Sequence, residues 1–324
     1  KSLRNLRYIV LNIYRRLFTI CFMVNMGILV WMVSKGGATT PHIGTIVVSN
    51  IFAAVLIRQD HIVNTLFLIF TAVPQSIPLW LRTTIARVYS LVIHSGSSMA
   101  ATMWLIYFTV NVTRDLTHFK ASPTLVGITY IILTLLVIII ALAMPTFRRL
   151  HHDSFEMIHR FLGWSATALL WAQTVLLIRD YKSPATSLGA ALARTPAFWM
   201  VVVLTLSIIT SWLTLRKFPV RAEVLSNHAL RLDFDYATPV PGSFTRISQS
   251  PLTEWHSFAT VAVPGQKGYS MIISRAGDWT GKVIAEPPSE VWIRGVPTCG
   301  VMNIVPLFRR VLIVATGSGI APCA

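Results

Sequence analysis

The sequence predicts a membrane α-helical bundle of six spans, followed by a small β-barrel domain and the truncated start of an α/β domain. Three observations carry this prediction. The 324 residues are 54% hydrophobic and only 12% charged, with a positive mean hydropathy, a balance too apolar for an ordinary soluble domain. After Pro219 the long apolar runs give way to short β-prone runs punctuated by Gly and Pro. Near the end, a continuous aliphatic run leads straight into a glycine turn. The implied domains are residues 1–218, 219–308 and 309–324.

Six segments approach or reach the roughly 17–25 apolar residues that a spanning helix needs. They are Leu17–Val33, Ile43–Ile57, Val88–Val112, Thr124–Met144, Phe161–Ile178 and Phe198–Leu215, the second being the shortest. A further apolar stretch, Ile62–Trp80, is interrupted by Pro74 and Pro78, which fits a membrane-surface or re-entrant segment better than a seventh span.

Flanking charge orients the bundle. With six spans, one side holds Lys1, Arg4, Arg7, Arg15, Arg16, Arg58, Arg82, Arg87, Arg148, Arg149, Arg160, Arg216, Lys217 and Arg221. The other keeps only Lys35, Arg114, Lys120, Arg179, Lys182 and Arg194. The positive-inside rule then predicts an integral membrane protein, partnered by the lipid bilayer, with both soluble ends in the cytoplasm. The net charge of +16 is spent at span ends. Without a basic stripe and interleaved aromatics, nucleic acid is not expected as a partner. Cys21, Cys299 and Cys323 are too scattered for a disulfide framework or a metal spacing. The chain begins at Lys1 without Met and stops two residues after Pro322, so a piece of a longer protein is expected, and no signal peptide is recognised.

The β-prone runs are Val220–Val224, Ala229–Phe234, Ser257–Val263, Tyr269–Ser274 and Val291–Ile293. Their spacing and turns suggest a small barrel. Arg310–Thr316 reads instead as a buried parallel strand. The turn after it is Gly317-Ser318-Gly319-Ile320-Ala321-Pro322. Glycines there allow a tight turn and close backbone approach to a pyrophosphate. Taken alone, such a turn is equally an ordinary strand-to-helix connection.

Upstream of that turn stand His256-Ser257-Phe258-Ala259, the strand Met271-Ile272-Ile273-Ser274-Arg275, and Gly277-Asp278-Trp279-Thr280. In this order the set resembles the flavin domain of the ferric reductase and NADPH oxidase superfamily. The closest likeness is to fungal ferric-reductase-like membrane flavoproteins, whose membrane modules also occur at the end of adenylate-forming multidomain proteins. The resemblance implies that His256, Ser257, Phe258 and Ala259 lie along an FAD, that Ser274, Arg275, Trp279 and Thr280 serve its phosphates, and that Gly317 to Pro322 meet NADPH or NADH. Two positions depart from the family tetrapeptide His-Pro-Phe-Thr: Ser257 replaces Pro, and Ala259 replaces the hydroxyl residue. Arg294-Gly295-Val296-Pro297 stands where the family has a Gly-Pro-Phe-Gly-like loop, and matches it poorly.

The same resemblance implies two histidines about 13 residues apart on each of the third and fifth spans, a rise of about 20 Å that would hold two stacked haems. This chain has His94 and His159, but Tyr107 and Ala172 stand thirteen positions further on. The outer haem pair is therefore missing. His94 and His159 either share one inner b-type haem or are interfacial histidines bonded to backbone or headgroups. His152 is a reserve ligand, seven positions before His159; His61 and His151 read as solvated.

These readings together imply a membrane flavoprotein oxidoreductase, passing electrons from NAD(P)H to FAD and on to an unknown acceptor. The alternatives are a catalytically degenerate, reductase-like scaffold or signalling protein, and a true transmembrane ferric or superoxide-generating reductase.

Overall fold

The computed structural model describes residues 2–5, 12–86, 92–262 and 265–323. In chain order its helices are α1 (Ser2–Asn5), α2 (Ile13–Ser34), α3 (Thr40–Leu56), α4 (Asp60–Thr71), α5 (Leu79–Ala86) and α6 (Val92–Thr117). They continue with α7 (Pro123–Leu142), α8 (Pro145–Leu150), α9 (His152–Tyr181), α10 (Leu188–Arg194), α11 (Pro196–Leu213) and α12 (Asp278–Ala285). The strands are β1 (Arg216–Pro219), β2 (Arg221–Ser226), β3 (Ala229–Phe234), β4 (Ser243–Ser248), β5 (His256–Ala259), β6 (Tyr269–Ser274), β7 (Glu290–Ile293) and β8 (Thr298–Cys299). The chain divides into two compact units. One combines Lys1–Arg58 with Ser90–Ser207, and the other Gln59–Tyr89 with Ile208–Ala324.

The first unit is helical. Its helices start where capping chemistry favours them: the Asn12 side chain accepts from the Arg15 amide, and Ser122 accepts from Leu125 with Pro123 at the first helical position. Among the described residues, four helices have the length and apolarity to cross a membrane, namely Tyr14–Ser34, Pro123–Leu142, His152–Tyr181 and Pro196–Leu213. The other two expected spans correspond to α3 and α6, which differ in character. The beginning of Val88–Val112 lies outside the described residues, and α6 runs on to Thr117.

Helices α3 and α6 supply much of the core: Ile43, Val47, Trp104, Leu105, Phe108 and Val112 are buried. Packed against α2, α3 and α7, α6 carries polar residues whose hydroxyls bond carbonyls one turn back: Ser98 to His94, Thr102 to Ser98, Thr109 to Leu105. Gly96 of α6 meets Cys21 of α2 closely, since a Cβ added there would lie 2.9 Å from the Cys21 Cβ. Val30, Trp31, Ile131, Val137, Trp199 and Leu206 on the outer helices are exposed, an apolar outside unlike that of a soluble monomer.

The second unit holds the strands. One sheet has the order β1-β7-β4-β5, with β8 also on β4; the other is β2-β3-β6. All pairings are antiparallel. The chain passes from the first sheet to the second at Val220, whose amide bonds the Ser289 carbonyl. A bridge between Val261 and Ser270 joins the sheets at the opposite corner. In place of the expected small barrel the described strands form two sheets, joined directly by the turn at Val220 and the Val261–Ser270 bridge, around Leu230, Leu232, Ile247, Met271 and Ile273. The expected run Ser257–Val263 shortens to β5 because Val261 is held only by that bridge, and Val263 lies outside the described residues.

A second expectation also changes. Arg310–Thr316 forms no strand, and Leu312 and Val314 are 89% and 80% exposed. A buried parallel strand needs neighbours to pair with, and the two sheets described here offer it none.

The proline-broken segment has a definite place in the second unit. Asp60, opening α4, accepts from Arg246 of β4 and from the Thr298 hydroxyl. Asn64, one turn later, donates to the Pro297 carbonyl at 3.0 Å and accepts from the Cys299 amide at 2.8 Å. Arg82 of α5 donates to the Leu307 carbonyl.

Candidate cofactor site

Strand β5 and helix α12 bring the flavin-like residues together. Alternation along β5 puts His256 and Phe258 on one face, and both meet Trp279 of α12. The His256 and Trp279 rings stack with centroids 3.8 Å apart at 19°, and Phe258 lies 6.0 Å from Trp279 at 25°. Ser257 faces outward and is exposed.

Glu254, which the motif reading passed over, fixes this cluster. It accepts from the Trp279 indole at 2.9 Å and lies 3.5 Å from His256 Nε2. The signal for it was modest: one of only 12 acidic residues, directly before Trp255-His256.

Thr280 closes the turn ahead of α12. Its hydroxyl oxygen accepts from the Ala276 and Gly277 amides and its proton goes to the Gly277 carbonyl. That hydroxyl is therefore engaged within its own turn. Arg275, at the end of β6, is exposed. Its Nε donates to the Asn227 carbonyl, and its Nη1 lies beside Gly281 in the first turn of α12. Ser274 sits opposite Ala229 in the ladder. Arg275 supplies a cation and the α12 start supplies amides without an intrahelical partner, both favouring an anion, while Asp278 in the first turn opposes one.

These residues fit FAD in kind: flat faces on His256, Phe258 and Trp279, and positive charge beside the α12 start. They do not fit it in every part. Ala259 offers no hydroxyl, and the 3.8 Å contact of His256 with Trp279 leaves no gap for a third ring, so an isoalloxazine would use an outer face of the stack or displace Trp279.

The poorly matching loop Arg294-Gly295-Val296-Pro297 is heavily anchored. The Arg294 guanidinium carbon stands 4.6 Å from the ring centres of both Trp212 and Trp255. The Gly295 amide donates to Thr214 at 2.8 Å, and Pro297 is held by Asn64. Burial raises the Cys299 thiol above its ordinary range.

In the helical unit, His94 and His159 come together, with ring centroids 6.1 Å apart at 69°. His94 Nδ1 lies 2.8 Å from the Ala54 carbonyl, an arrangement that leaves Nε2 with a lone pair. His159 Nδ1 is buried without a hydrogen-bond partner. Two imidazoles sharing one metal through bonds of about 2 Å have ring centres about 6 Å apart. Among the described residues no three His, Cys, Asp or Glu side chains gather as a metal site. With no third protein ligand gathered there, a metal held by this pair would have to bring further ligands of its own, as a haem does. His152 does not join them; it is exposed and lies 3.5 Å from Glu156. Further along α9, the Gln173 amide donates to Thr129 at 2.9 Å, a buried pair next to Ala172.

The segment Gly317-Ser318-Gly319-Ile320-Ala321-Pro322 forms a short 3-10 turn through Cys323. Gly317 has φ +55°, Ile320 is exposed and Ala321 is buried; the side chains of Ser318 and Pro322 lie outside the described residues. The run before this turn, Arg310–Thr316, forms no strand.

No known family profile matches the chain. Over its full length it is 51% identical to one protein of Coprinopsis cinerea and 49% identical to another, both named adenylate-forming reductases. Each alignment covers 100% of this chain but 32% of the relative. The chain thus spans about a third of the length of these curated relatives.

Proposed function

We propose that the chain is the membrane flavoprotein module of an oxidoreductase, carrying electrons from NAD(P)H through FAD at the cytoplasmic face to an acceptor still to be identified. One observation carries the reading: His256, Phe258 and Trp279 gather into one aromatic cluster, close in sequence to Arg275 and the start of α12. The relatives' name, reductase, supports the redox class. The apolar outside of the outer helices supports a bilayer location. FAD, when bound, accepts a hydride from a nicotinamide and can release electrons singly. The protein's own residues would bind and orient it: Trp279 and His256 against the flat ring, Glu254 holding both, and Arg275 with the α12 amides at phosphate. His94 and His159 would hold a single haem.

The purified chain in detergent is expected to take up FAD. Trp279→Ala and Arg275→Ala should each weaken that uptake about tenfold or more, as loss of a stacking face or a charged contact implies. A pyridine-haemochrome assay should find one haem per chain, lost in His94→Ala. A chain that takes up neither FAD nor haem would sink the reading. It would favour instead the degenerate scaffold, which the closed His256–Trp279 stack and Ala259 support. The Gln173–Thr129 pair in the outer half weighs against a two-haem ferric or superoxide-generating reductase.

A further inference from the structure

Arg82 poses a problem that the cofactor site does not solve. Set on α5, it is only 5% exposed. Its Nη1 donates to the Leu307 carbonyl, while its Nε is buried without any partner. A carbonyl satisfies one N–H but cannot neutralise a guanidinium, and a buried cation needs a counter-charge. The sequence placed Arg82 among the flanking charges that orient the spans; the structure buries it.

Beside it lies a cavity of about 450 Å³. Arg309 and Arg310 line the same cavity and are exposed. Ser76 and Gln75 add polar groups, and none of the nine lining residues is acidic. Three arginines line this one space without a carboxylate among the lining residues, and their like charges repel unless an anion offsets them. Planar N–H forks match phosphate oxygens in pairs. The volume exceeds that of a bare phosphate, leaving room for the group that carries it.

We propose that Arg82, Arg309 and Arg310 form a binding site for a phosphomonoester, separate from the aromatic flavin-like cluster. The phosphate could arrive on a lipid headgroup, next to the exposed Leu79 and Trp80 of the same helix, or on a soluble sugar phosphate. The chemistry recognised is the same.

The test uses the whole chain in a zwitterionic detergent and follows its thermal unfolding. Ribose 5-phosphate, inorganic phosphate and dihexanoyl phosphatidic acid are titrated separately, with sodium chloride and sulfate as ionic controls. A saturable rise in midpoint with a phosphate probe is expected, with apparent affinity about tenfold lower in Arg309→Gln/Arg310→Gln. In Arg82→Gln the response should vanish. Because Arg82 is buried and its variant could fail to fold, the double variant at exposed positions is sufficient by itself. Saturation by phosphatidic acid alone assigns the site to a lipid headgroup, and saturation by the soluble probes assigns it to a free phosphomonoester. No saturation with any phosphate, an equal response to sulfate and chloride, or a double variant that binds like the wild type would overturn the proposal.

Discussion

Gly295 shows how much one residue decides in the second unit. Its φ of +72° lies in the left-handed region, and a Cβ placed there would run into the Asp60 carboxylate. Gly265 has a similar φ of +79° but open space around its missing Cβ. Alanine at either position should cost about 1–2 kcal/mol for the backbone alone. Only Gly295→Ala should also push Asp60 off Arg246 and Thr298, breaking a buried charged network. Thermal unfolding of the two variants should therefore differ, with Gly295→Ala clearly the less stable; equal midpoints would show that Asp60 gives way freely. The sequence marked this loop as a poor match to a flavin-binding motif. What it could not reveal was the glycine's real neighbour, because Asp60 is remote in sequence.

Among elements, the strands that were legible are those whose alternation is apolar. Ala229–Phe234 and Tyr269–Ser274 coincide with β3 and β6, whose alternate residues are buried. Strands β1 and β4 were passed over because Arg216, Lys217 and Pro219, or Ser243, Thr245 and Arg246, hide the pattern. In β4, Arg246 reaches Asp60 and the Ser243 backbone carbonyl accepts from the Thr260 hydroxyl, while the Ser248 hydroxyl is buried without a partner. Arg310–Thr316 fails for the opposite reason, since a strong local pattern cannot make a strand without a neighbour. A chain of aromatic rings starts on the first sheet and ends in the second. Phe218 of β1 stacks on Tyr236 at 3.8 Å, the Tyr236 and Tyr269 hydroxyls lie 2.8 Å apart, and Tyr269 of β6 stacks on Phe234 of β3 at 4.8 Å within its own sheet. Desolvation raises the pKa of both phenols, and Tyr236 lifts that of Tyr269 further. The fold therefore favours the neutral phenol, so the contribution is full below the unfolded value of about 10 and is lost as pH rises through the raised folded values. Denaturant titrations between about pH 9 and 11 should show stability falling with pH, and Tyr269→Phe should flatten that fall. An unchanged slope in the variant would remove Tyr269 from the account.

For the whole molecule, the chief lesson is that one compact unit is built from two distant pieces of chain. Apolar runs revealed most of the helices, and the order of motifs led to the His256–Trp279 cluster, because both are local in sequence. The capture of α4 and α5 by the strand-bearing unit was not legible, since it rests on Asp60, Asn64 and Arg82 finding partners far downstream. A fragment of residues 208–324 should accordingly give poorly dispersed amide spectra, and fusing residues 59–86 to it should restore dispersion. A well-dispersed fragment without that segment would show the contacts to be dispensable. Synthesis adds a constraint of time. Thr298 follows Asp60 by 238 residues, and at about 5–20 residues per second the ribosome needs about 10–50 s to cover that distance. Through that interval Asp60 and Asn64 wait without their partners while the helices between emerge. The segment born early is thus among the last to be secured, and whatever stalls translation in between prolongs the exposure of an unfinished surface.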